Sequence, residues 1–433
     1  MEKESNNHNH KVAIVGGGLS GLTCAYDLIN SGAEVDIYEA SISLGGIAKG
    51  YKKEGWNWSA DIFYHHLFEG DKSFKKLVQE VGLKDKLKFY SQNTSVFYEG
   101  RVLPFSSPRQ ILSFPNFSSL GKIKFGFGTG LLRFSPWLGK MDELKAAEIF
   151  PKLSGQEGFN LIWKPLLYSK FGEYWDDISL SWLWARIKSR SFKLGYMDGG
   201  FQVLVDRLKE KIEKSGGNIY LSSKVKRINK DNESWTLVGS RFSREYDQVI
   251  FATPFDNSLM LVNKYLADEE RRKYAKIKTL SCLNIVMRLK KPFLEDGTYW
   301  LNILNTSFPF VAVVEHTNFV DKKHYNGESI VYAGGYYDPK SEIMKMDKRK
   351  VFKEFSPWLR KINLDFEREL IDYDLFKAES AQPVMLTSYK KLKPDFKITD
   401  NLYWTSQHHV YPWDRGMNFA VENGRRVGKM IVK

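Results

Sequence analysis

The chain has 433 residues, more than one hydrophobic core usually supports, so two interleaved domains are expected. Lysine and arginine number 65 against 51 acidic residues, and the net charge of +14 favours anionic partners: phosphorylated substrates, acidic lipid headgroups or nucleic acid. Two cysteines, Cys24 and Cys282, exclude a disulfide framework and lack zinc-site spacing, so both read as buried thiols. No run reaches the ~18 apolar residues of a membrane span, so any membrane contact is made from one side. The polar start, Met1 to His10, has no secretory pattern, which predicts a cytoplasmic protein.

Lys11 to Val15 is a β-branched strand pattern, and Leu22 to Ile29 a helical one. Between them lies Gly16-x-Gly18-Leu19-Ser20-Gly21. The first glycine makes the turn, the second admits a pyrophosphate to the backbone, and the third packs helix on strand. The helix amino terminus then faces the phosphates. A second strand, Glu34 to Tyr38, ends at Glu39-Ala40, eighteen residues after Gly21. The Glu39 carboxylate suits ribose hydroxyls and repels a 2′-phosphate, which leaves FAD or NAD.

Leu44-Gly45-Gly46 follows the second strand, where FAD enzymes of the glutathione reductase type bring backbone near the diphosphate and flavin. The run from Lys11 to Gly46 resembles the flavin-containing amine oxidase superfamily, which includes protoporphyrinogen oxidases and phytoene desaturases. Two later segments match it. One is Gly199-Gly200-Phe201 with the helix Gln202 to Ser215, followed by a strand from Asn218 to Ile228 and a returning strand from Tyr246 to Ala252. The other is a strand from Asn401 to Thr405 and then Arg415-Gly416-Met417-Asn418, opening a terminal helix. The resemblance implies an α/β fold: a two-dinucleotide-binding-domain, Rossmann-type FAD domain with an interleaved substrate domain of mixed sheet plus helices. It implies that Val225 meets the adenine edge, that Gln407 stands near the ribityl chain, and that the helix opening at Gly416 and Met417 points its dipole at the flavin.

Some positions depart from the family pattern. Ser41, Ser43 and Ile47 flank the double glycine where arginines are usual, with Lys49 a partial substitute, and Gln407 replaces an acid. Alignment on Pro292-Phe293 puts Asn284 where amine oxidases carry a lysine near flavin N5, which argues against amine oxidation. No counterpart of a flavin-linking cysteine is present, so FAD is expected to be noncovalent. Phe63 to Phe68, Trp163 to Leu167, Lys170-Phe171-Gly172, Trp182 to Arg186, Glu315 to Asn318 and Tyr411 to Gly416 further resemble bacterial protoporphyrinogen-oxidase-like FAD-dependent oxidoreductases.

The expected organisation is FAD domain over 1–72, 191–276 and 379–433. A helical cap occupies 73–190, and a substrate sheet 277–378 includes Cys282 to Leu289, Phe310 to Val314 and Ser329 to Tyr336. Polar groups on apolar strands need a reason, so Glu315, His316 and Asn284 are catalytic candidates, with His65 beside His66 next. No metal pattern occurs. Trp163, Trp182 and Trp184 read as core. Arg186, Lys188 and Arg190 read as a solvated face, or, lining a cleft, as ligands for a carboxylate or phosphate.

Residues 101–140 hold six basic residues, seven aromatics and no acid, which suits either peripheral membrane contact or an ordinary cap over the cavity. No nucleic-acid motif accompanies the charge. The leading reading is an oxidase or dehydrogenase taking hydride through flavin N5 from a small organic substrate, anionic or lipophilic. One rival is a non-redox enzyme acting on a sugar nucleotide, because Asp61 to Asp71 loosely resembles a segment of UDP-galactopyranose mutases. The other is a non-catalytic protein that keeps FAD for stability. The oligomeric state is left open.

Overall fold

The computed structural model describes residues 10–137 and 139–432. The polar start up to residue 9, and residue 138 inside the basic aromatic segment, lie outside them.

The strands Lys11–Val15 and Glu34–Tyr38 each bury four successive residues, as strands covered on both faces do. They sit in a six-stranded sheet ordered Asn218–Tyr220, Glu34–Tyr38, Lys11–Val15, Gln248–Phe251, Leu402–Trp404, Lys397–Thr399. All pairs are parallel except the last. Strands returning from residues 218, 248 and 402 show that the chain leaves this sheet and comes back to it repeatedly. The helix Leu19–Ile29 covers one face and packs on the carboxy-terminal helix Met417–Ile431. That crossing is close: a Cβ on Gly424 would lie 2.3 Å from the Ser20 carbonyl oxygen.

The strand read from Asn218 to Ile228 is in fact two. Asn218–Tyr220 stays in the parallel sheet and Arg227–Asp231 starts a separate antiparallel one. Ser222, with φ of 51°, turns the chain between them, so Val225 lies over the carboxyl edge of the sheet.

A seven-stranded sheet forms the second body, ordered Leu370–Pro383, Thr279–Leu289, Ser329–Tyr337, Ala312–Glu315, Thr298–Ile303, Asn93–Tyr98, Arg101–Pro104. Its last two strands correct the expectation that 73–190 is helical. Asn93–Tyr98 pairs parallel with Thr298–Ile303, and Arg101–Pro104 folds back on it. The two-residue turn is Glu99-Gly100, both with positive φ (48° and 76°), the conformation that matches strand twist in a tight hairpin.

The helices Ser119–Phe134, Ala146–Ser154, Lys164–Phe171 and Leu180–Lys188 make a helical region. Phe150, Phe171, Trp182, Leu183 and Trp184 form their core. The helix Ser119–Phe134 packs its Gly121, Phe125, Gly128 and Leu132 inward, and a Cβ on Gly128 would lie 2.6 Å from the Leu153 backbone. Both cysteines are buried and free.

Candidate active site

The carboxyl edge of the parallel sheet, the helical region and the seven-stranded sheet enclose a cavity of about 940 Å³. In open α/β sheets this edge is where ligands bind. One end of the cavity is built by the glycine loop. Gly16 has φ of 112°, and a Cβ there would lie 2.5 Å from the Ala252 carbonyl oxygen. A Cβ on Gly18 would find no atom nearer than the Gly46 Cα at 4.0 Å, so it would project into the cradle between the two glycine segments. Gly21 is off the wall; a Cβ there would meet the Gly16 carbonyl oxygen at 2.1 Å, so its role is packing. The helix Leu19–Ile29 begins at Gly18 with no side-chain cap, leaving its first N–H groups open to an anion.

The strand Glu34–Tyr38 delivers Glu39 and Ala40 to the wall. One carboxylate oxygen of Glu39 accepts from the Gly17 N–H at 2.8 Å, and the other accepts from the Ser41 N–H and hydroxyl, each at 2.8 Å. Leu19, Ser20, Gly45, Gly46, Val225, Gln407, Gly416 and Met417 line the same cavity. The Gln407 amide oxygen is buried with no partner among the described residues. A cradle that a Cβ would fill, a fixed carboxylate and an orphaned amide oxygen fit a dinucleotide cofactor such as FAD.

The expected catalytic pair does not reach this cavity. Glu315 is fully buried, and its carboxylate accepts from the N–H groups of Phe293 (2.8 Å) and Leu294 (3.3 Å) and from the Thr317 hydroxyl (2.6 Å). Burial pushes it up to about 7 despite these donors. His316 Nε2 hydrogen-bonds the Tyr325 hydroxyl at 2.8 Å, and its ring packs edge-on to Tyr196 and Tyr332. Burial pushes its pKa down to about 3. Both are satisfied inside a closed core, so their buried polarity serves architecture. Asn284 is likewise off the wall; its amide donates to the Ile62 carbonyl at 3.0 Å and holds the segment leading to Tyr64 and His65.

His65 does line the cavity, and its Nδ1 is buried without a partner. Burial, with Arg415 nearby, pushes its pKa down to about 4, so the ring is neutral at pH 7. His66 is also on the wall and hydrogen-bonds Tyr299 at 3.2 Å.

Sequence reasoning offered Arg186 as a cleft ligand but missed the charged cluster it joins opposite. Lys170, on the helix Lys164–Phe171, is 2.9 Å from Asp414, and Arg186 is 3.6 Å from the same carboxylate. Arg415 donates through Nε to Gln382 at 2.8 Å and through its terminal nitrogen to the Tyr336 hydroxyl. Burial pushes Lys170 down to about 7; Asp414 opposes that drop and Arg186 and Arg415 add to it. Burial would raise the Asp414 carboxyl, but Lys170, Arg186 and Arg415 hold it well below the usual carboxylate range. The signal lay in charges embedded in the aromatic segments around residues 170 and 414.

A model of the flavin containing amine oxidoreductase family matches residues 19–429. The chain belongs to this family. The L-amino-acid oxidase BjussuLAAO-I of Bothrops jararacussu is 35% identical over 88 residues, which is 20% of this chain and 18% of that oxidase. The chain therefore spans less than a fifth of that curated relative's length. Among solved structures, reduced UDP-galactopyranose mutase superposes with a TM-score of 0.77 at 16% identity, covering 98% of this chain and 94% of the mutase. Cyclohexylamine oxidase from Brevibacterium oxydans gives 0.76 at 14% identity, covering 98% and 99%. At such identity these likenesses establish the fold: a Rossmann-type FAD domain with an interleaved second body.

Within this family member the cavity joins two kinds of group. A neutral imidazole at His65 can accept a proton or a hydrogen bond. A lysine poised near neutrality at position 170 can give one up.

Proposed function

We propose that the chain is an FAD-dependent oxidoreductase, an oxidase or dehydrogenase, that binds FAD noncovalently and acts on a small organic substrate. The observation that carries this reading is the single cavity shared by Gly18, Glu39, Gly46, Gln407 and Gly416 at one end and His65, Lys170 and Arg415 at the other. Bound FAD would supply hydride acceptance at N5; the protein's own part is binding, orientation and proton handling. Gly18 and the open helix start take the pyrophosphate, Glu39 the ribose, and Gln407 a ribityl hydroxyl. Neither cysteine is on the wall, which supports noncovalent binding. His65 orients the substrate or takes its proton, and Lys170 exchanges a proton with it near pH 7. The test is to denature purified protein and identify the released chromophore, then to mix the holoprotein anaerobically with candidate substrates. Stoichiometric flavin bleaching is expected; conversion only by pre-reduced protein, with flavin returned unchanged, would move the reading to the mutase-like rival.

We also propose peripheral attachment to an anionic membrane through the helix Ser119–Phe134. Its outer face exposes Leu120, Ile123, Phe127, Leu131 and Phe134, spaced by three and four residues, with Phe134 81% exposed. No acidic residue lies between 101 and 140, while Lys122, Lys124 and Arg133 are on the helix itself. An apolar stripe flanked by Lys122 and Lys124 matches the headgroup boundary of an acidic bilayer.

A further inference from the structure

The substrate end of the cavity has an unmet demand for negative charge. Arg186 lies on the last turn of the helix Leu180–Lys188, and Arg190 lies just beyond its cap. Both line the cavity, whereas Lys188 turns away and donates to the Ser135 carbonyl at 3.1 Å. The three were read from the sequence as a solvated face or, lining a cleft, as ligands for a carboxylate or phosphate; the helix separates them, with Arg186 and Arg190 on the cavity and Lys188 off it. Arg133 fixes the position of this helix end by donating to the carbonyls of Ile187 and Arg190, each at 3.0 Å.

Among the described residues no carboxylate pairs with Arg190. It keeps a large accessible area and lines the cavity. A guanidinium stays charged in proteins, so Arg190 is a cation on this wall without a carboxylate partner. Arg186 has only Asp414 at 3.6 Å, and Asp414 is already engaged by Lys170 at 2.9 Å. The other acids on the wall, Glu39 and Asp71, accept from the backbone N–H groups of Gly17 and Phe68. A second, independent feature has the same polarity. The indole N–H groups of Trp163 and Trp182, on the same wall, are buried with no acceptor among the described residues. Two of the groups are permanent cations and the two indoles can only donate, while His65 Nδ1 and Ser380 Oγ, also unpartnered on this wall, can do either. The complementary ligand is an acceptor-only group with negative charge.

We propose that Arg186 and Arg190 form an anion subsite, and that the substrate of this enzyme carries a carboxylate or a phosphate group bound between them. The proposal rests on the oxidoreductase reading for its reacting end, but the subsite itself is independent of FAD. Planar guanidinium groups bind both anions through paired N–H donors. Trp163 and Trp182 add single donors, and Lys170 with Asp414 closes the wall towards Arg415.

The experiment titrates the FAD-loaded full chain at low salt with benzoate, phenyl phosphate and the neutral isostere benzamide. Flavin absorbance and tryptophan fluorescence are read in parallel. At least one anion should bind saturably and at least tenfold more tightly than benzamide, and the tighter of the two names the group. Arg190→Gln and Arg186→Gln should each weaken that binding tenfold or more while FAD occupancy stays at the wild-type level; Arg190→Lys should retain part of it. Benzamide binding equal to both anions, no anion binding at all, or unchanged affinity in the double variant would overturn the subsite. Loss of FAD from the variants would reassign the arginines to the cofactor. If the wild type takes up no FAD, the cofactor reading fails, and the tryptophan signal still decides the anion subsite.

Discussion

Lys170 and Asp414 form an ion pair of 2.9 Å that ties the helix Lys164–Phe171 to the loop feeding the carboxy-terminal helix. The side chains are 14% and 10% exposed, so each charge depends on the other for compensation. Arg186 and Arg415 would remain beside Asp414 if Lys170 were removed, whereas removing Asp414 would leave three cations together. Asp414→Asn should therefore destabilise by about 3–5 kcal/mol, the usual cost of leaving buried charge uncompensated, and Lys170→Met, which leaves Asp414 with two cations, by less. Urea unfolding of both checks this; equal stability of Asp414→Asn and wild type would show the pair to be solvated.

The same pair predicts a pH dependence. Lys170 is held at about 7, below its unfolded value, so between there and the ordinary lysine range the unfolded chain binds the extra proton. Stability then rises with pH through that window. Measured by urea unfolding at intervals from pH 7 to 10, this slope should be smaller in Lys170→Met than in wild type.

Neither partner could be found from the sequence, because they lie 244 residues apart and meet only when the chain returns to the parallel sheet. Gly16, Gly18, Gly21 and Glu39 stand out in the sequence because strand, turn and helix are local there; in the fold Gly21 answers to Gly16, Gly16 to Ala252 beyond the adjoining strand, and Gly18 faces the second glycine segment at Gly46. Glu315 and His316 were misread for the converse reason. The donors that satisfy Glu315 include the backbone of Phe293 and Leu294, 22 and 21 residues earlier, so a buried carboxylate that looked unmet was not. The hairpin at Glu99-Gly100 carried a usable signal, but the surrounding residues alternate too weakly to outweigh the helical pattern downstream.

Gly18→Val tests the cradle without disturbing the core. A Cβ at Gly18 has open space, so the variant should fold with a normal melting curve and yet retain no flavin. Gly21→Val should instead lower the melting temperature, because its Cβ would overlap the Gly16 carbonyl. Full flavin occupancy in Gly18→Val would remove the pyrophosphate from this loop.

For membrane attachment, sedimentation with vesicles rich in phosphatidylserine should exceed the neutral-vesicle background and fall as salt is raised, with each basic residue near the surface worth about 1 kcal/mol. Replacing Ile123 and Phe127 together by Glu should abolish it, since both lie on the exposed stripe and are about two thirds exposed. Vesicle binding that survives this double change would assign attachment to another surface.

The two histidine sites should separate activity from stability. His65 is on the cavity wall with a free Nδ1, so His65→Ala should lower turnover of an identified substrate by ~10²–10⁴ while flavin stays bound. His316 is in the core, so His316→Ala should leave turnover per folded molecule unchanged and reduce stability, through a cavity and an unpartnered Tyr325 hydroxyl. His316 also carries a pH signature. Its pKa is depressed to about 3 by burial, so the unfolded chain takes up a proton near 6.5 that the folded chain refuses. The stability associated with it is present above the unfolded value and is lost as pH falls towards 3. His65, His66, His408 and His409 are depressed in the same direction, while Glu315, Asp61 and Asp71, raised by burial, oppose them, so wild-type stability should fall below pH 6 by the difference. Replacing His316 by Gln, which does not titrate, should make that drop shallower than in wild type when urea midpoints are compared at pH 7 and pH 5. A slope identical in His316→Gln would mean that the ring is protonated, or reached by water, in the folded protein.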